Sequence, residues 1–199
     1  MSESEPIRLR TPLTEADVRR LRAGDRVLLT GPVIGARDAA HRRMAETLRR
    51  GEPLPVDLAG QVIYYVGPSP ARPGHVIGAA GPTTAGRMDA YAEILMQQGM
   101  RGMIGKGYRS PQCIELMKRY GCVYFAAIGG LGALLSQKIK SERVVAYEDL
   151  GTEAIRIMEV EDFPVVVIND TEGRDFYREA PAQWRALHFA TPEREAVGG

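Results

Sequence analysis

Apolar and polar positions along the chain follow two periods, and each predicts its own set of elements. Helical spacing appears first in LTEADVRRLRAG, where Thr14 precedes Glu15 and Asp17 and Gly24 closes the stretch. It returns in ARDAAHRRMAETLRRG, with Ala40, Met44 and Leu48 on one face and arginines elsewhere. Met88, Ala92 and Leu95 mark a third helical face, stopped by Gly99. A fourth helix is predicted in PQCIELMKRYG, opened by Ser110-Pro111 and closed by Gly121. Short runs of β-forming residues lie between the helices: RVLLTG, GQVIYYVGP, HVIGAA (75–80), MRGMIG and CVYFAAI. GGLGALLSQKI then reads as a glycine-rich turn into a short helix, and RVVAYEDL, EAIRIMEV and PVVVIND as three further strands. Residues 1–12 are expected to form a loose arm or an edge strand, 13–180 the body, and 181–199 a polar tail. The segment DFYREAPAQW is expected to dock on the body. Strand and helix alternate in the middle of the chain, which argues for parallel crossovers; the β-rich flanks argue for a mixed sheet. A single α/β domain follows.

Composition narrows the function classes. With 44% apolar residues and no run of membrane-spanning length, no membrane is expected as a partner. A net charge of +1, without a basic stripe interleaved with aromatics, argues against nucleic acid. MSESEPIRLR has no apolar core and so is not a secretory signal, which points to the cytoplasm. Cys113 and Cys122 are then expected to be reduced and buried; without further ligands they cannot form a tetrahedral metal site. His41, His75 and His188 form no ligand pair, so no metal is expected on this chain.

Chemistry is concentrated at three junctions where a β-run ends in glycine and a cation follows. They are Gly35-Ala36-Arg37-Asp38, Gly81-Pro82-Thr83-Thr84-Ala85-Gly86-Arg87 and Gly105-Lys106-Gly107. In α/β folds the loops after the carboxyl ends of strands gather at one edge, where ligands bind. Helix N-termini at that edge favour anions, and arginine's planar fork matches a carboxylate. Arg37, Arg87 and Lys106 thus make a candidate clamp for a small dicarboxylate. Thr83 and Thr84 can be helix caps or catalytic hydroxyls, and both readings stay open from the residues alone. Arg87 can also pair with Asp89 or Glu93. Asp38 and His41, one helical turn after Arg37, are possible supporting residues, and Glu148 and Asp149 are possible carboxylates in what reads equally well as a solvated turn. Two phosphate motifs fail: the segment around Lys106 lacks the Walker glycine and the following Ser or Thr, and GGLG lacks dinucleotide spacing.

GPTTAGRMDAY, GKG, ARDAAHRR, AIGG and EDFPVVVINDTEGRDFY together resemble the β subunit, or C-terminal domain, of class I iron–sulfur fumarate hydratases, over roughly residues 8–180. The wider family includes L-tartrate dehydratase and related hydro-lyases. The resemblance implies a swivelling β/β/α domain with a mixed sheet and flanking helices. It implies reversible hydration of fumarate to (S)-malate, with Thr83 as the base and Arg37, Arg87 and Lys106 binding the carboxylates. It also implies a 4Fe–4S cluster carried by a separate α subunit, so that the active form would be a heterodimer or an (αβ)2 heterotetramer. A tartrate- or mesaconate-type hydro-lyase is the alternative within this chemistry. A non-catalytic diacid-binding module is the alternative outside it.

Overall fold

The computed structural model describes residues 5–189. Its elements in chain order are β1 (Ile7–Arg10), α1 (Glu15–Arg20), β2 (Arg26–Gly35), α2 (Asp38–Arg49), β3 (Val62–Tyr64), α3 (Asp89–Met96), β4 (Gly102–Gly105), α4 (Pro111–Tyr120), β5 (Val123–Ala126), α5 (Gly132–Ser136), β6 (Ile139–Ala146), β7 (Ile155–Asn169) and α6 (Phe176–His188). Two 3-10 segments, Ala85–Met88 and Glu148–Glu153, complete the set. Several boundaries follow the local chemistry that predicted them. Thr14 and Asp17 form a reciprocal capping box on α1. The Ser110 hydroxyl accepts from Cys113 N at 3.2 Å to cap α4, Pro111 occupies its first turn, and Gly121 ends it in the left-handed conformation.

The seven strands form one mixed sheet in the order β1-β2-β3-β4-β5-β7-β6, and an added β2–β7 pairing closes β2, β3, β4, β5 and β7 into a ring. The crossovers β2–β3–β4–β5 are parallel, whereas β7 runs antiparallel to β2, β5 and β6. Alternation divides the core in two. Val62, Tyr64, Ile104, Val123, Phe125, Val165 and Val167 belong to one apolar cluster. Ile63, Tyr65, Met103 and Tyr124, on the opposite faces of the same strands, pack with Ala40, Met44, Ala92, Leu95 and Met117 of the helices. A mixed α/β fold with a barrel-like β core and flanking helices is the result. Residues 7–10 are the edge strand β1, parallel to β2. Of the expected tail 181–199, residues 181–188 continue α6, and residues 1–4 and 190–199 lie outside the described residues.

Three expectations need correction. The strand predicted at 75–80 is an irregular loop that bonds to a neighbouring loop and to the start of α5: Ser69 N donates to Ala79 O (3.1 Å) and Ala80 N to Gly132 O (3.0 Å). EAIRIMEV and PVVVIND are one continuous 15-residue strand, β7, passing through a single left-handed residue, Asp162 (φ 47°), whose N–H donates to Thr30 Oγ1. The DFYREAPAQW segment docks only through its first turn. Phe176 and Tyr177 pack on the core, while Trp184 is 54% exposed and Leu187 80%.

Candidate functional site

The carboxyl ends of β2, β3, β4 and β5 face one edge, because all four strands are parallel neighbours. Arg37 follows β2, Gly67 lies beyond β3, Lys106 follows β4, and Gly129 lies beyond β5. Thr83 reaches the same edge from a different part of the chain. Its N–H donates to Tyr65 O (2.7 Å), and its carbonyl accepts from Lys106 N (3.1 Å). Residues 82–84 thus add a short extended segment beside Val66 and Lys106. Close approach is possible because residue 105 is glycine: a Cβ there would lie 3.0 Å from Tyr65 Cδ2, 3.1 Å from Ala85 Cβ and 3.2 Å from Thr83 O. Gly107, with φ +80°, turns the chain away immediately afterwards. GKG therefore works as a pair of backbone devices that leave Lys106 exposed at the edge.

Neither threonine caps a helix. Thr84 occupies the N-cap position of the 3-10 turn Ala85–Met88, but its side chain makes no capping bond. The turn is tied down by backbone instead: the Ala85 amide, the first of the turn, donates to the carbonyl of Lys106, just after β4, at 2.9 Å. The Thr83 hydroxyl, half-buried, has no hydrogen-bond partner among the described residues. Beneath it, the glycine-rich loop after β5 packs backbone against backbone: a Cβ on Gly132 would come within 2.9 Å of Gly81 N. That close packing is what GGLG provides.

Arg37 and Arg87 are brought together by Asp38. Its Oδ2 lies 3.3 Å from Arg37 Nε and its Oδ1 3.1 Å from Arg87 Nε. The alternative pairing of Arg87 with Asp89 or Glu93 does not occur: Asp89 accepts from Ser110 N (2.7 Å) and Glu93 from the Tyr120 hydroxyl. Glu153 adds a second carboxylate that sequence reasoning missed. One oxygen lies 3.4 Å from Arg37 Nη2 and the other accepts from Ala39 N at 2.6 Å. The anion at the start of α2 is therefore this protein's own side chain. Glu148 is exposed, and Asp149 forms a bidentate pair with Arg43 at 2.7 Å, so the two carboxylates considered from the sequence belong to the outer face.

His41 does not line the site. It is 1% exposed, and its Nδ1 lies 3.0 Å from Arg37 O, to which it can only donate. Nε2 then carries the lone pair, buried and without a partner. Burial pushes this imidazole down to about 4, against the opposing pull of the Arg37 carbonyl, so it is neutral at ordinary pH. Arg109, also missed from the sequence, is buried below the edge. It donates to the Tyr65 hydroxyl (3.2 Å) and Ala85 O (3.3 Å), and its Nε lies 2.9 Å from Asp89 Oδ1 without hydrogen-bond geometry. That bundle joins β3, the 3-10 turn and the start of α4.

The two thiols do not suit a metal or cluster. Both are buried, Cys113 Sγ accepts from Arg109 Nη2 at 3.0 Å, and burial raises both pKa values, that of Cys122 to about 12. Among the described residues no group of three or more His, Cys, Asp or Glu side chains could hold a metal ion. No helix among them is long and apolar enough to cross a membrane.

The family model described as Fumarase C-terminus matches residues 1–180. The chain is 41% identical to "Fumarate hydratase class I, aerobic" of Escherichia coli over 183 residues, which is 89% of this chain and 33% of that protein. It is 42% identical to "Fumarate hydratase 2" of Leishmania major over 156 residues, 77% of this chain and 28% of the relative. It thus spans about a third of the length of these curated relatives. A shorter relative, "Putative L(+)-tartrate dehydratase subunit beta" of Methanocaldococcus jannaschii, is 37% identical over 173 residues, covering 84% of this chain and 89% of that one.

Proposed function

This chain belongs to the fumarase C-terminus family of hydro-lyases, and on that premise we propose that it supplies the base and the carboxylate clamps of a fumarate hydratase whose remaining part is a separate subunit. The single observation that carries this reading is the edge constellation: an unbonded Thr83 hydroxyl beside Lys106, near two arginines bracketed by Asp38. Lys106 and the guanidinium groups of Arg37 and Arg87 would hold the two carboxylates of malate or fumarate. Thr83 Oγ would then accept the proton from the carbon next to one carboxylate, and the neighbouring cations would stabilise the charge that develops there. A threonine hydroxyl is a weak base, and no described carboxylate bonds to it, so the group that takes its own proton would come from the partner.

The long relatives carry about two thirds of their length outside the matched region, and a similar relative is named as a subunit; both support a two-chain arrangement. A 4Fe–4S cluster, if the enzyme carries one, would be ligated by that partner, because the thiols of this chain do not fit it. When bound, such a cluster would supply a Lewis acid for the departing hydroxyl.

The test is anaerobic co-expression with a candidate partner, followed by assay of malate, L-tartrate and mesaconate-derived substrates. Turnover of malate and fumarate is expected, and turnover of tartrate with none of malate would overturn the substrate. Thr83→Ala should lower kcat by about 10²–10⁴-fold while a dicarboxylate still binds. Binding without turnover in every pairing would favour a diacid-binding module.

A further inference from the structure

Two carboxylates, Asp38 and Glu153, stand against the two arginines of the clamp, and the proposed chemistry does not by itself require them. Arg37 is held on several sides: Asp38 takes its Nε, Glu153 lies at its Nη2, and Gly67 packs beneath it. Arg87 is held differently. It projects from a four-residue 3-10 turn, its side chain is 51% exposed, and its ion pair among the described residues is with Asp38. A long exposed arginine without a brace spreads over many rotamers, and each binding event then has to select one.

We propose that Asp38 is a positioning residue, whose bridging carboxylate fixes Arg87 against Arg37 and so presents the end of the Arg87 guanidinium, beside the Arg37 cation, to a dicarboxylate. Both contacts are made through Nε, on the side edge of each guanidinium. The end of the Arg87 fork stays free to meet a ligand carboxylate bidentately. The inference rests on the clamp assigned to Arg37 and Arg87 above.

Charge alone predicts the opposite behaviour, which makes the idea testable. Asp38 and Glu153 balance Arg37 and Arg87, and Lys106 forms no ion pair among the described residues. Were Asp38 only a counter-charge, neutralising it would raise the local positive potential and tighten the binding of a dianion. If it positions Arg87, neutralising it weakens that binding.

The experiment compares wild type, Asp38→Asn, Asp38→Ser, Arg87→Ala and the Asp38→Asn/Arg87→Ala double variant, each purified with its partner subunit. Succinate affinity is measured by calorimetry, and KM and kcat for malate by steady-state kinetics. Asp38→Asn is expected to weaken succinate binding and raise KM about tenfold, with kcat changed less than about threefold. The double variant should be no weaker than Arg87→Ala alone, because Arg37 keeps Glu153 and its seat on Gly67 without Asp38, whereas Arg87 is the arginine that depends on it. Asp38→Ser, which keeps a residue suited to the start of α2, separates loss of the brace from loss of helix stability when melting temperatures are compared. Unchanged or tighter binding in Asp38→Asn, or full additivity in the double variant, overturns the proposal. Failure of the wild-type complex to bind succinate at all would instead overturn the clamp itself.

Discussion

Replacing His41 with asparagine should remove a pH dependence from folding stability without moving the backbone. In the folded chain this imidazole is pushed down to about 4, chiefly by burial. Unfolded, it returns to about 6.5. Between these values the unfolded chain carries a proton that the folded chain does not, so acid favours unfolding. The contribution of the neutral, buried histidine is therefore fully present above about pH 6.5 and is lost as pH falls toward 4. A gap of about 2.5 pKa units at 1.36 kcal/mol per unit makes that loss about 3 kcal/mol. Asparagine suits the test because its Nδ2 can keep the hydrogen bond to Arg37 O while having no proton to gain in this range. Urea unfolding followed by far-ultraviolet circular dichroism, repeated at intervals from pH 4 to 7.5 for both proteins, supplies the curves. The carboxylate background is shared and cancels in the difference. Wild type minus variant should climb by about 3 kcal/mol from pH 4 to 6.5 and then flatten. A flat difference would mean that His41 does not titrate between folded and unfolded states as its burial requires. A difference that fell with rising pH would mean the folded chain holds the proton.

Gly67→Ala should act on the site and spare the fold. The added methyl would stand 2.7 Å from Arg37 Nη1 and 2.9 Å from its Cδ, so the guanidinium must move off its seat. Steady-state kinetics of the complex should show KM raised about tenfold, with the melting temperature nearly unchanged because the displaced group is the far end of a flexible side chain. Arg109→Ala should do the reverse and cost about 3–5 kcal/mol in urea unfolding, since it strands Asp89 and empties a buried position. An Arg109→Ala protein of wild-type stability would show that the buried bundle holds nothing together.

The parts of the site visible in the sequence are those whose cause is local. Lys106 stands between two glycines because Gly105 must admit Thr83 and Ala85 at close range and Gly107 must turn with positive φ; both demands fall within three residues. Arg37 follows a glycine at the end of a β-run for a similar reason, which is why a one-dimensional pattern found the cations. Asp38, next to Arg37, was within reach of the same pattern, but Glu153 beside Arg37 and the buried Arg109 come from further away. Glu153 reaches Ala39 across 114 positions and Arg109 reaches Tyr65 across 44, separations that leave no mark in local spacing. The turn at Thr84 is held by a non-local bond too: its side chain makes no cap, and the first amide of the turn, Ala85 N, donates to Lys106 O, 21 positions on. The strand expected at 75–80 failed on topology. β3 is paired with β2 on one side and β4 on the other, and the ring closes through β7, so a further strand at that point finds no open edge in the ring. Closure of the ring thus forces the 75–84 segment onto the rim, where it bonds Tyr65, Lys106 and Gly132 by backbone alone. With the backbone groups satisfied in this way, Thr83 brings an uncommitted hydroxyl to the edge where the cations stand.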